Sequence, residues 1–166
     1  MNNLENTVNY ITRKSGKEIE KLIPRLKLSG IGGSMKDNII NFKKLVFKHR
    51  GTLDKDESVL LLEKIVDVYL SNIYSEKRMI DYLQNHSFTY KNLQIVFIIY
   101  DDMGNDVFHP DLSYISLIEG IITYESLRIT ENEIYKVETI NEEPYEDAAK
   151  RLGIWKNQPE ETSENS

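Results

Sequence analysis

Along the first half of the chain, apolar residues recur at helical spacing. Leu4, Val8 and Ile11 fall on one face of a short first helix that Ser15-Gly16 interrupts. Ser15 and Glu18 have capping-box spacing for a second helix, whose stripe is Ile19, Leu22, Ile23 and Leu26 and which kinks or ends at Pro24. After Gly30, Gly32 and Gly33, Ser34 is placed to cap a third helix with Asp37 three residues on; Met35, Ile39, Phe42 and Val46 form its apolar face, and Gly51 stops it. The segment from Asp54 to Ile73 carries the widest apolar arc, with Leu62, Ile65, Val66, Tyr69 and Ile73 on one side, and reads as the central helix. Ser75 opens a further helix with Met79, Ile80 and Leu83, ending near Asn85-His86. His49 and His86 both stand at predicted helix ends, where the dipole favours a positive charge.

Beyond His86 the pattern turns to β. Leu93 to Tyr100, LQIVFIIY, has almost no polar face and reads as a strand covered on both sides. Residues 112–124 fit helix or strand, and their second half is assigned to strand. LRIT and IYKVETI, separated by Glu131-Asn132-Glu133, form a hairpin. Pro144, the charge order along 143–151 and Gly153 specify a last helix. The fold expected is α+β, with about four helices in the N-terminal half followed by a small, mostly antiparallel sheet and a C-terminal helix. It forms one domain over 1–155, helical over 1–86 and β-rich with the last helix over 87–155, and ends in a disordered acidic tail, 156–166.

Charge adds an asymmetry to this picture. Residues 1–50 hold eleven Lys/Arg against four Asp/Glu, and residues 51–166 hold ten against twenty-three, for a net charge of −6. With no cysteine there is no disulfide framework, thiolate metal site or thiol nucleophile. No apolar run approaches the length of a membrane span, and the first residues lack a signal-peptide pattern, so a cytoplasmic protein without membrane contact is expected.

The chemistry offered by these residues is sparse. Gly30-Ile31-Gly32, between two predicted helices, resembles the turn of helix-hairpin-helix DNA-binding proteins. That resemblance implies backbone amides on a phosphate, with Lys36 beside it; without it, the stretch is a connector. Lys43, Lys44 and Lys48 extend the same basic region, so nucleic acid is one partner expected of it. Asp102, Asp106 and His109 lie in the oxygen-rich DDMGNDVFHPD, where a metal-dependent enzyme is the alternative to a turn. No nucleophile elbow, cofactor fingerprint or catalytic constellation appears, and no cofactor is expected. An acidic set, Glu131, Glu133, Glu138, Glu142, Glu143, Glu146 and Asp147, with Trp155 as a staple or an anchor, points to a protein partner. The expected function is that of a non-catalytic interaction protein. It would be a small regulator or inhibitor of bacterial or phage accessory type, acting on a larger protein or nucleoprotein partner.

Overall fold

The computed structural model describes residues 3–157. The elements run α1 (Asn3–Leu22), β1 (Leu26–Lys36), β2 (Ile39–Arg50), α2 (Lys55–Ser75), α3 (Ile80–Asn85), β3 (Leu93–Tyr100), β4 (Tyr114–Ile118), β5 (Ile121–Ile129), β6 (Tyr135–Pro144) and α4 (Tyr145–Arg151). The strands form one six-stranded sheet in chain order, antiparallel throughout except for the parallel pair β2–β3.

The α+β class stands, but the expected helical half does not. The two helices expected over 4–26 are one helix, α1, because Ser15 and Gly16 lie on its buried stripe with Val8, Ile11 and Ile19. Small residues are needed there. A Cβ on Gly16 would come within 2.6 Å of Leu28 Cδ2, so glycine lets β1 approach the helix, and Ser15 Oγ accepts from Asn72 of α2 at 2.9 Å. Helix α1 ends at Leu22, two residues before Pro24.

The third expected helix is strand β2, and the stretch before it is strand β1. Met35, Ile39, Phe42 and Val46 are spaced by three or four, but the buried positions follow Leu45, Phe47 and His49 at period two. Ser34 therefore caps nothing and pairs with Phe42. Asp37 and Asn38 make the connecting turn with φ of 53° and 61°, the left-handed pair that a two-residue hairpin requires. The sheet is accordingly larger than the small one expected, and although mostly antiparallel as expected, it is mixed through the β2–β3 pair.

Other elements agree with the sequence reading. Helix α2 starts on Asp54, whose Oδ1 accepts from Glu57 N at 2.8 Å. The helix expected to open on Ser75 is a 3-10 turn, Lys77–Met79, running into α3 with His86 at its C-cap, but its cap is Glu76, because Ser75 is still the last residue of α2. Residues 112–124 resolve into β4 and β5, joined at Glu119-Gly120 with φ of 50° and 79°. Helix α4 closes with a Schellman motif, Ile154 N to Ala149 O at 2.9 Å and Gly153 N to Lys150 O at 3.1 Å. Of the expected tail 156–166, residues 158–166 lie outside the described residues; Lys156 bridges Glu63 and Asp67 of α2 at 3.1 and 3.3 Å.

Among the described residues, helices cover one face of the sheet only. Leu45, Phe47, Ile95, Phe97, Ile115, Leu117, Ile122 and Tyr124 point into one core with Ile11 of α1, Leu62, Ile65 and Tyr69 of α2, and Ala148 of α4. Their neighbours along the strands stay half-exposed on the other face, where Val46, Val96, Ser116 and Thr123 follow one another across four strands. The expectation that β3 is covered on both sides is thus corrected: its burial alternates strictly.

His49 is the exception in the core, at 4% exposure, in a strand rather than at a helix end. Its Nδ1 lies 2.8 Å from Gly51 O, and because a carbonyl only accepts, the neutral ring carries its proton on Nδ1. Burial, and secondarily the nearby Arg25, lower its pKa, while the bond to Gly51 opposes the shift.

Two predictions follow from this core. Thr12 Oγ1 donates to Val8 O at 2.8 Å, so the Tyr69 hydroxyl, 2.7 Å away, donates to Thr12. Tyr69→Phe should cost about 0.5–1.5 kcal/mol in urea unfolding. For His49 the unfolded state binds the proton more tightly, so its contribution is full above the ordinary value of 6.5 and declines as pH falls from there through the lowered folded pKa. His49→Gln should flatten that part of the melting-temperature profile relative to the unsubstituted chain.

Candidate functional site

Strand β5 outruns its neighbour. Strand β4 pairs only with Ile121 to Glu125, so the outer half of the β5–β6 hairpin projects beyond it. The segment 107–113 backs the projection: His109 N donates to Leu127 O and Ser113 N to Glu125 O, both at 2.8 Å. Ser113 Oγ accepts from Leu127 N at 2.8 Å and donates to Val107 O at 2.7 Å. At the tip, Thr130 N donates to Ile134 O at 2.9 Å, and Thr130 Oγ1 accepts from Ile134 N. The hairpin is thereby held in register where a free two-stranded ribbon would be marginal.

Its surface is apolar to an unusual degree for a sheet edge. Ile129, Ile134, Tyr135, Val137 and Ile140 are all exposed, Ile134 to 62% and Tyr135 to 58%. Register puts Ile129 opposite Tyr135 and Leu127 opposite Val137, so these four share the face that no helix covers. Phe108 leans edge-on against the Tyr135 ring at 5.2 Å and lengthens the strip. Sequence reasoning found the hairpin but missed this strip; the available signal was the run of apolar residues Ile134, Tyr135, Val137 and Ile140 in and just before a strand that is outermost among the described residues.

The expected acidic set divides around this strip. Glu131 and Glu133 are exposed at the tip, Glu142 is exposed further along β6, and Glu138 is ion-paired with Arg128 across the hairpin. Glu143 stands opposite Ile122 on the helix side, 2.9 Å from Arg151. Glu146 pairs with Lys150 at 3.4 Å, and Asp147 is exposed on α4. Trp155 sits apart, edge-on to Tyr90 at 5.6 Å and to Tyr145 at 5.9 Å, with the Lys150 ammonium 5.7 Å from its ring; it staples α4 to the core.

The basic set is rearranged by the change from helix to sheet. Gly30 and Gly32 lie within β1 opposite Val46 and Lys44, with no helix start beside them, so the helix-hairpin-helix geometry is absent. Lys36 ends β1 at the Asp37-Asn38 turn. Lys43 points to the helices, where Nζ donates to Asn9 Oδ1 at 2.9 Å and burial lowers its pKa. Lys44 and Lys48 remain on the uncovered face, Lys48 Nζ 5.9 Å from the Tyr100 ring.

In the aspartate-rich loop the carboxylate of Asp101 is spent on the loop's own backbone. Asp101 Oδ1 accepts from Asn105 N at 2.8 Å and Met103 N at 2.9 Å, and these bonds hold its carboxyl below the usual range. Asp102 pairs with Arg25 at 3.2 Å, the backbone of Asp106 forms an isolated β-bridge with that of Tyr100, and the backbone N–H of His109 serves β5. Among the described residues no three His, Asp or Glu are grouped to hold a metal ion. Nor is any helix among them long and apolar enough to cross a membrane.

Protein-family models, curated proteins and solved structures offer no match to this chain.

The loop geometry makes a direct prediction. A ligand that binds only the native state raises its melting temperature by mass action, so calcium, magnesium, manganese and chelator should all leave that temperature unchanged. A rise that Asp102→Asn or Asp106→Asn removes would restore the metal reading.

Proposed function

We propose that this protein is a non-catalytic binding module that docks a basic protein partner along the β5–β6 hairpin. The observation that carries this reading is the exposed apolar set at the end of the hairpin, Ile129 of β5, Ile134 of the turn and Tyr135, Val137 and Ile140 of the outermost strand β6, within a frame of carboxylates. An apolar centre with a charged rim is the anatomy of a protein interface. A free strand edge adds main-chain donors and acceptors for a partner strand. Glu131, Glu133 and Glu142 leave the rim negative, since Arg128 is matched by Glu138 and only Lys136 stands among them. The rim selects a basic partner and steers its approach, while the apolar side chains hold it. A small regulator that acts by occupying a partner's surface needs no more than this.

The test pairs capture with substitution. The partner retained from extracts of the source organism should be lost, with affinity reduced by about tenfold or more, for Ile134→Ser with Tyr135→Ser and Val137→Ser. Circular dichroism should confirm that this variant remains folded. Glu133→Lys with Glu142→Lys should slow association and reduce its salt dependence, leaving dissociation nearly unchanged. Lys14→Glu with Lys17→Glu, on the far side of the molecule, should bind as the unsubstituted chain does. Equal capture by the triple-serine variant would remove the reading.

A further inference from the structure

At the opposite side of the sheet, the ends of three strands build a second and different surface. Strands β2 and β3 are the parallel pair, and both finish at one edge, Arg50 beside Tyr100. Strand β1 begins at the same edge, because Leu26 pairs with His49 and Lys27 with Lys48. Arg25, Lys27, Lys48 and Arg50 are thereby brought around one pocket of about 270 Å³, whose wall includes Tyr100 and whose rim includes Gly104 of the following turn. In open sheets the carboxyl ends of parallel strands are the habitual place for ligands.

Three features set this pocket apart from a scatter of surface lysines. Among the described residues, the only carboxylate paired with any of the four cations is Asp102, 3.2 Å from Arg25, since Asp101 is occupied by the turn. The remaining like charges repel one another, and an anion would relieve that cost. Secondly, the Arg25 guanidinium is held in place, with Nη1 donating to Arg50 O at 2.7 Å. Thirdly, a glycine makes room for it: Gly51, at φ +102°, passes so close that a Cβ there would overlap Arg25 Nη1. A fixed planar fork presents paired donors to a tetrahedral anion, which a mobile ammonium cannot do.

We propose that this pocket binds the phosphate group of a small phosphate ester, with Arg25 and Arg50 as the forked donors, Lys27 and Lys48 as supporting charges, and the Tyr100 ring beside the organic part. The volume suits a phosphate with a compact substituent. A polymer is disfavoured by what surrounds the pocket: continuing over the uncovered face it meets Glu125 and Glu142, and on the loop side Asp102 and Asp106. The site shares no residue with the hairpin strip, so its fate is independent of the proposed partner.

Calorimetric titration at low ionic strength tests the site with inorganic phosphate, a nucleoside 5′-monophosphate and a short single-stranded oligonucleotide as probes, and sodium chloride at matched ionic strength as reference. The monophosphate should bind with a Kd of about 1 mM or tighter, and inorganic phosphate more weakly. Lys27→Ala with Lys48→Ala should weaken monophosphate binding by about tenfold or more while leaving the melting temperature of the free protein unchanged or higher, because repulsion is relieved. Arg50→Lys should weaken it as well, since the charge is kept and the fork is lost. The proposal is overturned if neither phosphate probe binds, if the double-alanine variant binds equally well, or if the oligonucleotide binds and the monophosphate does not.

Discussion

The parallel pairing of β2 with β3 is the constraint from which the rest of the architecture follows. Two parallel neighbours cannot be joined by a turn, so the chain must travel back along the sheet between them. Helix α2 makes that journey: at 1.5 Å per residue its 21 residues span about 31 Å, between the roughly 26 Å of β3 and the roughly 40 Å of β2. It also sets which face is covered. Helix α1 packs beside α2 through Thr12–Tyr69 and Ser15–Asn72, and α4 returns to the same layer from the end of β6. With all helices of the described residues on one side, the other face and the two outer strands are left open by them.

That one-sidedness distributes chemistry. Strands β1 and β2 bring lysines and arginines to one side of the open face, and β5 and β6 bring glutamates to the other, so the imbalance along the sequence becomes an imbalance across the sheet. Between them, Val46, Val96, Ile98 and Tyr114 form a half-exposed apolar middle. The two proposed sites sit at opposite margins and have different chemistry. One is a ridge of side chains without a cavity, suited to a surface; the other is a cavity lined by cations, suited to a group.

How far the sequence revealed this depended on whether each signal was local. Helix α2, the hairpin of β5 with β6 and the closure of α4 rest on caps, turns and periodicity within a short window, and they were legible. Strands β1 and β2 were not, because Met35, Ile39, Phe42 and Val46 satisfy helical spacing, while the true alternation runs through a buried histidine, His49, that hydropathy counts as polar. Glycines that read as a break between helices are instead strand residues facing Val46 and Lys44. The pocket cations were visible as a basic set, but their convergence depends on the β1–β2 and β2–β3 registers, which no local pattern encodes. The carboxylates of the other margin were visible too, although pairing of Glu138 and Glu143 with arginines could be learned only from the fold.

Trp155, the single tryptophan, is seated against Tyr90 and Tyr145 with a lysine ammonium near its ring, and it belongs to neither margin of the sheet. Its emission is therefore an internal gauge of whether α4 is docked, silent to occupancy of the hairpin or the pocket. A substitution that abolishes binding with the indole signal intact has altered a surface; one that shifts that signal has loosened the layer beneath it. The chain carries its own optical separation of lost recognition from lost structure.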